Sequence, residues 1–131
     1  MKDNILKSFN DMYKKNADGY TYAGGRFELL GNHTDHNHGM TLASTCSLII
    51  EGAFSKENNN IVHFFSKGNC DFTISLDNTD EVNSEIGKSE CFVRGVADYL
   101  KKHGYRIGGF SAYVESLVPP GAGVSSSAAF E

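Results

Sequence analysis

The run Pro119-Pro120-Gly121-Ala122-Gly123-Val124-Ser125-Ser126-Ser127-Ala128 constrains this chain more than any other stretch. Two adjacent prolines stop a preceding strand, because neither can donate to a sheet ladder. The glycines let the backbone take φ of either sign and approach a ligand closely. The serines that follow suit the cap and first turn of a helix. The run therefore dictates a strand, a sharp turn and a helix start, in that order. Read alone, it is either a tight turn with a serine cap or a phosphate cradle, in which backbone amides face an anion and a serine hydroxyl reaches a bridging magnesium ion. It is not a Walker A sequence, since no Lys-Ser/Thr pair follows the second glycine at the required distance.

The 131 residues, 40% hydrophobic and 21% charged, suffice for one globular domain with a buried core. A formal charge of −4 with scattered lysines argues against a nucleic-acid binder, which needs a basic stripe. No apolar run approaches the roughly 20 residues that cross a bilayer, and Met1-Lys2-Asp3-Asn4 lacks the apolar core of a signal peptide, so a cytoplasmic protein without a membrane partner is expected. Cys46, Cys70 and Cys91 are odd in number and widely spaced, which predicts reduced, mostly buried thiols.

Ile5, Leu6, Phe9, Met12 and Tyr13 recur at helical spacing, and Asp18-Gly19 closes that segment. Gly19 to Gly25 and Met40 to Phe54 read as strands, with a polar loop between them. Asn58-Asn59-Asn60 marks a turn, Ile61 to Phe65 a strand, and the alternation of Phe72, Ile74 and Leu76 a half-buried strand. Ser89 is placed to cap a helix carrying Phe92, Val93, Val96, Ala97 and Leu100 and ending at His103-Gly104. A last strand with Phe110, Ala112 and Val114 leads to the prolines. No repeat or linker marks a second domain, and the class is α+β with a mostly antiparallel sheet.

A second motif stands earlier, Gly25-Arg26-Phe27-Glu28-Leu29-Leu30-Gly31-Asn32-His33-Thr34-Asp35-His36-Asn37-His38-Gly39. With the serine run it resembles, in order and separation, the two signatures of the galactokinase branch of the GHMP small-molecule kinases, Gly-Arg-x-Asn-Leu-Ile-Gly-Glu-His-Thr-Asp-Tyr-Asn and Pro-x-Gly-x-Gly-Leu-Ser-Ser-Ser-Ala. The segment Phe92-Val93-Arg94-Gly95-Val96 is also similar to that family, and the resemblance covers the chain from about Tyr20 onward. It implies the N-terminal lobe of a GHMP-type kinase, a mixed, mostly antiparallel sheet with helices on one side.

The implied reaction moves the γ-phosphoryl group of ATP, with Mg²⁺, to the anomeric hydroxyl of galactose or a related sugar. Arg26 matches the arginine that stabilises the transition state, a task suited to a fixed guanidinium; its alternative is a strand-end salt bridge. Asn32, His33, Thr34 and Asp35 match the sugar contacts, with Asp35 accepting hydroxyl hydrogen bonds; the alternative for Asp35 is a turn cap. Gly121, Ala122, Gly123, Val124, Ser125, Ser126 and Ser127 match the ATP-phosphate contact, Ser127 the magnesium ligand, and Ser66 a nucleotide contact. Asn32 stands where the family has glutamate, Glu28 where it has asparagine, and His36 where it has tyrosine, so the sugar pocket is altered on several sides. The resemblance places the catalytic aspartate, a second magnesium carboxylate and a C-terminal lobe downstream of Glu131, so half a site and no efficient kinase is expected from these residues alone.

Two other readings compete. His33, Asp35, His36 and His38 form a candidate metal cluster of a hydrolase, although no two histidines stand at the i, i+4 spacing of a helical zinc motif. A noncatalytic sugar or nucleotide sensor is the other, favoured by Asn32.

Overall fold

The computed structural model describes residues 2–31, 37–118, 123 and 125–130, with the side chains of Ser127 and Ala128 left out. In chain order the elements are α1 (Lys2–Tyr13), β1 (Gly19–Leu30), β2 (Leu42–Lys56), β3 (Ile61–Ser66), β4 (Cys70–Ser75), a 3-10 turn (Asn83–Glu85), α2 (Ser89–Lys102), β5 (Phe110–Ser116) and α3 (Ser126–Phe130). The strands form one sheet in the order β1-β2-β5-β3-β4. Strand β3 pairs antiparallel with β4 and parallel with β5, Phe64 lying beside Phe72 on one side and Ala112 on the other. The sheet is thus mixed: β3 reaches β5 through a crossover that contains α2, and such a crossover is what a parallel pair requires.

The chain divides into two compact units, one of residues 1–21 and 51–115, the other of residues 22–50 and 116–130. In the first, α1 lays Ile5 and Phe9, both essentially fully buried, against Ala53 and Tyr113 of the sheet, with Leu6, Tyr20 and Phe65 packed around them. Burying side chains of this size stabilises by about 2–3 kcal/mol each. Met12, counted in the apolar stripe, is instead 41% exposed. Tyr13 fixes the end of the helix: its hydroxyl donates to the carbonyls of Ala112 at 3.0 Å and His63 at 3.3 Å, so one side chain ties α1 to β3 and β5. Burial, helped by Asp71 and Glu57, pushes this phenol up to about 12, so it remains a donor.

Val62, Phe64, Phe72, Ile74, Ala112 and Val114 make further buried positions of β3, β4 and β5, with Phe64 and Phe72 stacked 5.1 Å apart. Gly109 lets this layer close: a Cβ there would lie 2.2 Å from the Ile61 carbonyl oxygen, and its N–H donates to Asn59 O at 2.8 Å. Helix α2 ends as expected, with His103 as C-cap and Gly104 at φ 81°. Its start differs. Lys88 is the N-cap and makes no side-chain cap bond, while Ser89 is already helical. Its buried residues are Ala97 and Arg94, and Val96 is 42% exposed.

Arg94 tolerates burial because every nitrogen of its guanidinium has a partner. Its Nε and Nη2 donate to the two oxygens of Glu85 at 2.7 Å each, and Nη1 donates to the carbonyls of Asn78 at 2.6 Å and Ser75 at 3.1 Å. The three cysteines are free and partly exposed rather than buried. Among the described residues no helix is long and apolar enough to cross a membrane.

Candidate functional site

Arg26, Glu28 and Gly31 all belong to the second unit. The polar loop expected between the first two strands begins later than the sequence suggests, because β1 runs on to Leu30 and carries Arg26 and Glu28 on the strand itself. Gly24 and Gly25 read as a strand end, yet the strand passes through them: Gly25 is buried, and a Cβ at Gly24 would stand 3.1 Å from the Cys46 carbonyl oxygen of β2. Small residues here let the backbone of β1 lie close to β2.

Arg26 and Glu28 are two apart and share a face of β1. The guanidinium Nη2 is 3.9 Å from Glu28 Oε1, with the arginine side chain half exposed. The strand salt bridge considered as an alternative role for Arg26 is therefore present, and it leaves the guanidinium reachable from solvent. Gly31 then turns the chain. Its φ is 85°, and a Cβ would fall 2.2 Å from Met40 O and 2.9 Å from the Thr41 Cα, so only glycine allows the two ends of the segment 32–39 to approach. The expected sugar contacts Asn32, His33, Thr34 and Asp35, with His36, lie outside the described residues.

Of the expected phosphate loop, Gly121, Ala122 and Val124 also lie outside the described residues, as do Pro119 and Pro120. What is described agrees with a sharp entry into a helix. Gly123 sits at φ 70° with open space where a Cβ would be, Ser125 is at φ 53°, and α3 follows with Ala129 N–H donating to Ser125 O at 3.2 Å. A left-handed non-glycine residue is strained, and such strain gathers where backbone is held for binding. Gly123 and Ser125 thus both take left-handed backbone where the chain enters α3.

Ser66 ends β3 in the first unit. It is 6% exposed, and its hydroxyl accepts from Asn69 Nδ2 at 3.3 Å while its carbonyl accepts from Asn69 N–H at 3.0 Å, so the turn around Gly68 accounts for it. Of the four candidate metal ligands only His38 is described, exposed and at φ 58°. Among the described residues no three His, Cys, Asp or Glu side chains are grouped to hold a metal.

Sequence reasoning missed two polar networks. In one, Glu57 accepts from Lys15 and from Ser111, and both bonds hold its carboxyl below the usual range. In the other, Tyr20 donates to the buried Glu51 at 2.7 Å. The available signal was partial: Glu51 stands on the same face of β2 as Ala53, while Glu57 follows the end of that strand.

Residues 7–56 match a family model described as the galactokinase galactose-binding signature. The chain is 27% identical to a galactokinase of Limosilactobacillus reuteri, over 99% of its own length and 35% of that protein. Among solved structures it is similar to a Lactococcus lactis galactokinase complexed with galactose, at TM-score 0.84 and 25% identity, over 99% of this chain and 34% of the other. A Methanococcus jannaschii mevalonate kinase, 14% identical over 86% of this chain, shares the fold at TM-score 0.68. The chain spans about a third of the length of the galactokinases it matches.

Proposed function

We infer that this chain, whose sequence and fold resemble the N-terminal third of galactokinases, is the sugar-binding portion of an ATP-dependent sugar kinase that phosphorylates the anomeric hydroxyl of galactose or a close relative. The observation that carries the reading is the galactose-binding signature over residues 7–56, followed in the same chain by the glycine and serine run at 119–128.

In the reaction the sugar oxygen bonds to the γ-phosphorus, the bond from that phosphorus to the β–γ bridging oxygen breaks, ADP leaves, and the hydroxyl proton passes to a base. Asp35 accepts hydrogen bonds from sugar hydroxyls and fixes the ring. His33 and Thr34 complete the sugar contacts, and Asn32 offers an amide where a carboxylate would only accept. Arg26 meets the charge that spreads over the phosphoryl oxygens in the transition state, where a preorganised guanidinium acts most strongly. Gly121 to Ser127 would hold the ATP phosphates, Ser66 would contact the nucleotide, and Ser127 would be the protein ligand of Mg²⁺, which supplies charge neutralisation when bound. A cytoplasmic location suits these substrates.

Calorimetry with galactose, glucose and Mg-ATP, run beside an assay of phosphoryl transfer, tests this reading. Binding of galactose in preference to glucose is expected. A chain that binds neither galactose nor Mg-ATP would overturn the reading; binding without turnover is what half a site predicts, and turnover would mean that a base lies within these residues and that the assignment of roles is wrong.

A further inference from the structure

We propose that Glu28 is a positioning residue for Arg26: it holds the guanidinium on one face of β1 in the ligand-free chain and gives it up to an anionic ligand. The proposal rests on the reading of Arg26 as the residue that meets the phosphoryl group.

The backbone of this stretch is already fixed. Gly25 is buried and Gly24 is packed against the Cys46 carbonyl, so the Cα of Arg26 has little freedom. The side chain is another matter, since it is half exposed and has several rotatable bonds. Side chains two apart on a strand stand on one face roughly 7 Å apart, and Glu28 is the next residue along that face. Among the described residues no other acid is within 4 Å of Arg26.

The distance sets what Glu28 does. At 3.9 Å the pair attracts but is too long for a hydrogen bond, so Glu28 itself takes up none of the guanidinium N–H groups. An exposed pair of this kind biases the rotamers by only a few-fold. A phosphate group brings more charge and a pair of oxygens that match the guanidinium fork, so it outcompetes the single carboxylate. Glu28 therefore keeps Arg26 near the site without locking it, and it also subtracts from the local positive charge. Its removal has two opposite effects, which no merely structural role would give.

The test is made on this chain with nitrogen-15 label, following the Arg26 Nε–Hε signal in the native form and in Glu28→Gln, each titrated with Mg-ATP in the presence of galactose. In Glu28→Gln the ligand-free signal should shift and lose order, and Mg-ATP should bind a few-fold tighter. Glu28→Asp, which keeps the charge, should retain part of the order. If Arg26 responds to Mg-ATP but is indifferent to Glu28→Gln, the proposal falls and the kinase reading stands. If Arg26 responds to Glu28→Gln and never to Mg-ATP, the assignment of Arg26 to the phosphoryl group falls, and the hand-over with it.

Discussion

Arg94 shows how one residue can hold a whole segment in place. It bonds both oxygens of Glu85 and two main-chain carbonyls, and the two side chains are 11% and 13% exposed. Arg94→Ala should destabilise the chain by about 3 kcal/mol, because it leaves a carboxylate and two carbonyls short of partners; urea unfolding measures this. The pair also makes stability depend on pH. The Arg94 hydrogen bonds hold the Glu85 carboxyl below its ordinary 4.5. That stabilisation is complete above 4.5 and is lost as the pH falls through the lower folded value. Arg94→Ala should therefore flatten the acid limb of the stability curve below 4.5, and an unchanged limb would count against the pair. Ser55 is the opposite case. Its hydroxyl is buried and, among the described residues, is the one buried side-chain polar atom without a hydrogen bond. Ser55→Ala removes an uncompensated polar group, so it should leave stability unchanged or raise it by about 1 kcal/mol, read from the same unfolding curves.

Elements whose character comes from local periodicity were legible in the chain, and those fixed by partners were not. The apolar positions of α1, the alternation in β4 and the Gly104 stop of α2 are local signals, and each element lies where they place it. The extent of β1 was illegible, because Gly24-Gly25 looks like a break until β2 stands beside it. Arg94 in the buried side of α2 was illegible for the same reason, since its charge is tolerated only by Glu85 and two carbonyls distant in sequence. In the candidate site the residue types and their order were readable from the motifs; the pairing of Arg26 with Glu28 required knowing that both stand on a strand. Gly31 offers the test at this scale. Gly31→Ala combines a left-handed backbone with a Cβ 2.2 Å from Met40 O, so the ends of β1 and β2 must separate. We expect a loss of about 2–3 kcal/mol in urea unfolding, with galactose binding weakened beyond what that loss predicts; equal stability would show that the turn relaxes without cost.

Across the whole molecule burial is uneven. The first unit holds Ile5, Phe9, Ala53, Val62, Phe64, Phe72, Ile74, Ala112 and Val114, so its amides should be the slowest to exchange hydrogen, and those of residues 22–50 faster. The second unit carries a different burden. Tyr22, Leu29, Leu30, Met40, Leu42 and Leu117 are each more than half exposed, whereas scattered single apolar residues are the norm for a monomer's surface. Side chains on a strand alternate between faces, so Leu29 and Leu30 put apolar surface on both sides of β1. At roughly 25 cal/mol per Å² of apolar surface removed from water, covering a few such side chains is worth several kcal/mol, enough to draw two copies together against the cost of association. Sedimentation velocity of this chain should accordingly show concentration-dependent association in the micromolar range, reduced by Leu30→Glu combined with Leu42→Glu. A chain that sediments as a monomer at every concentration would mean that this surface is too dispersed to act as one patch.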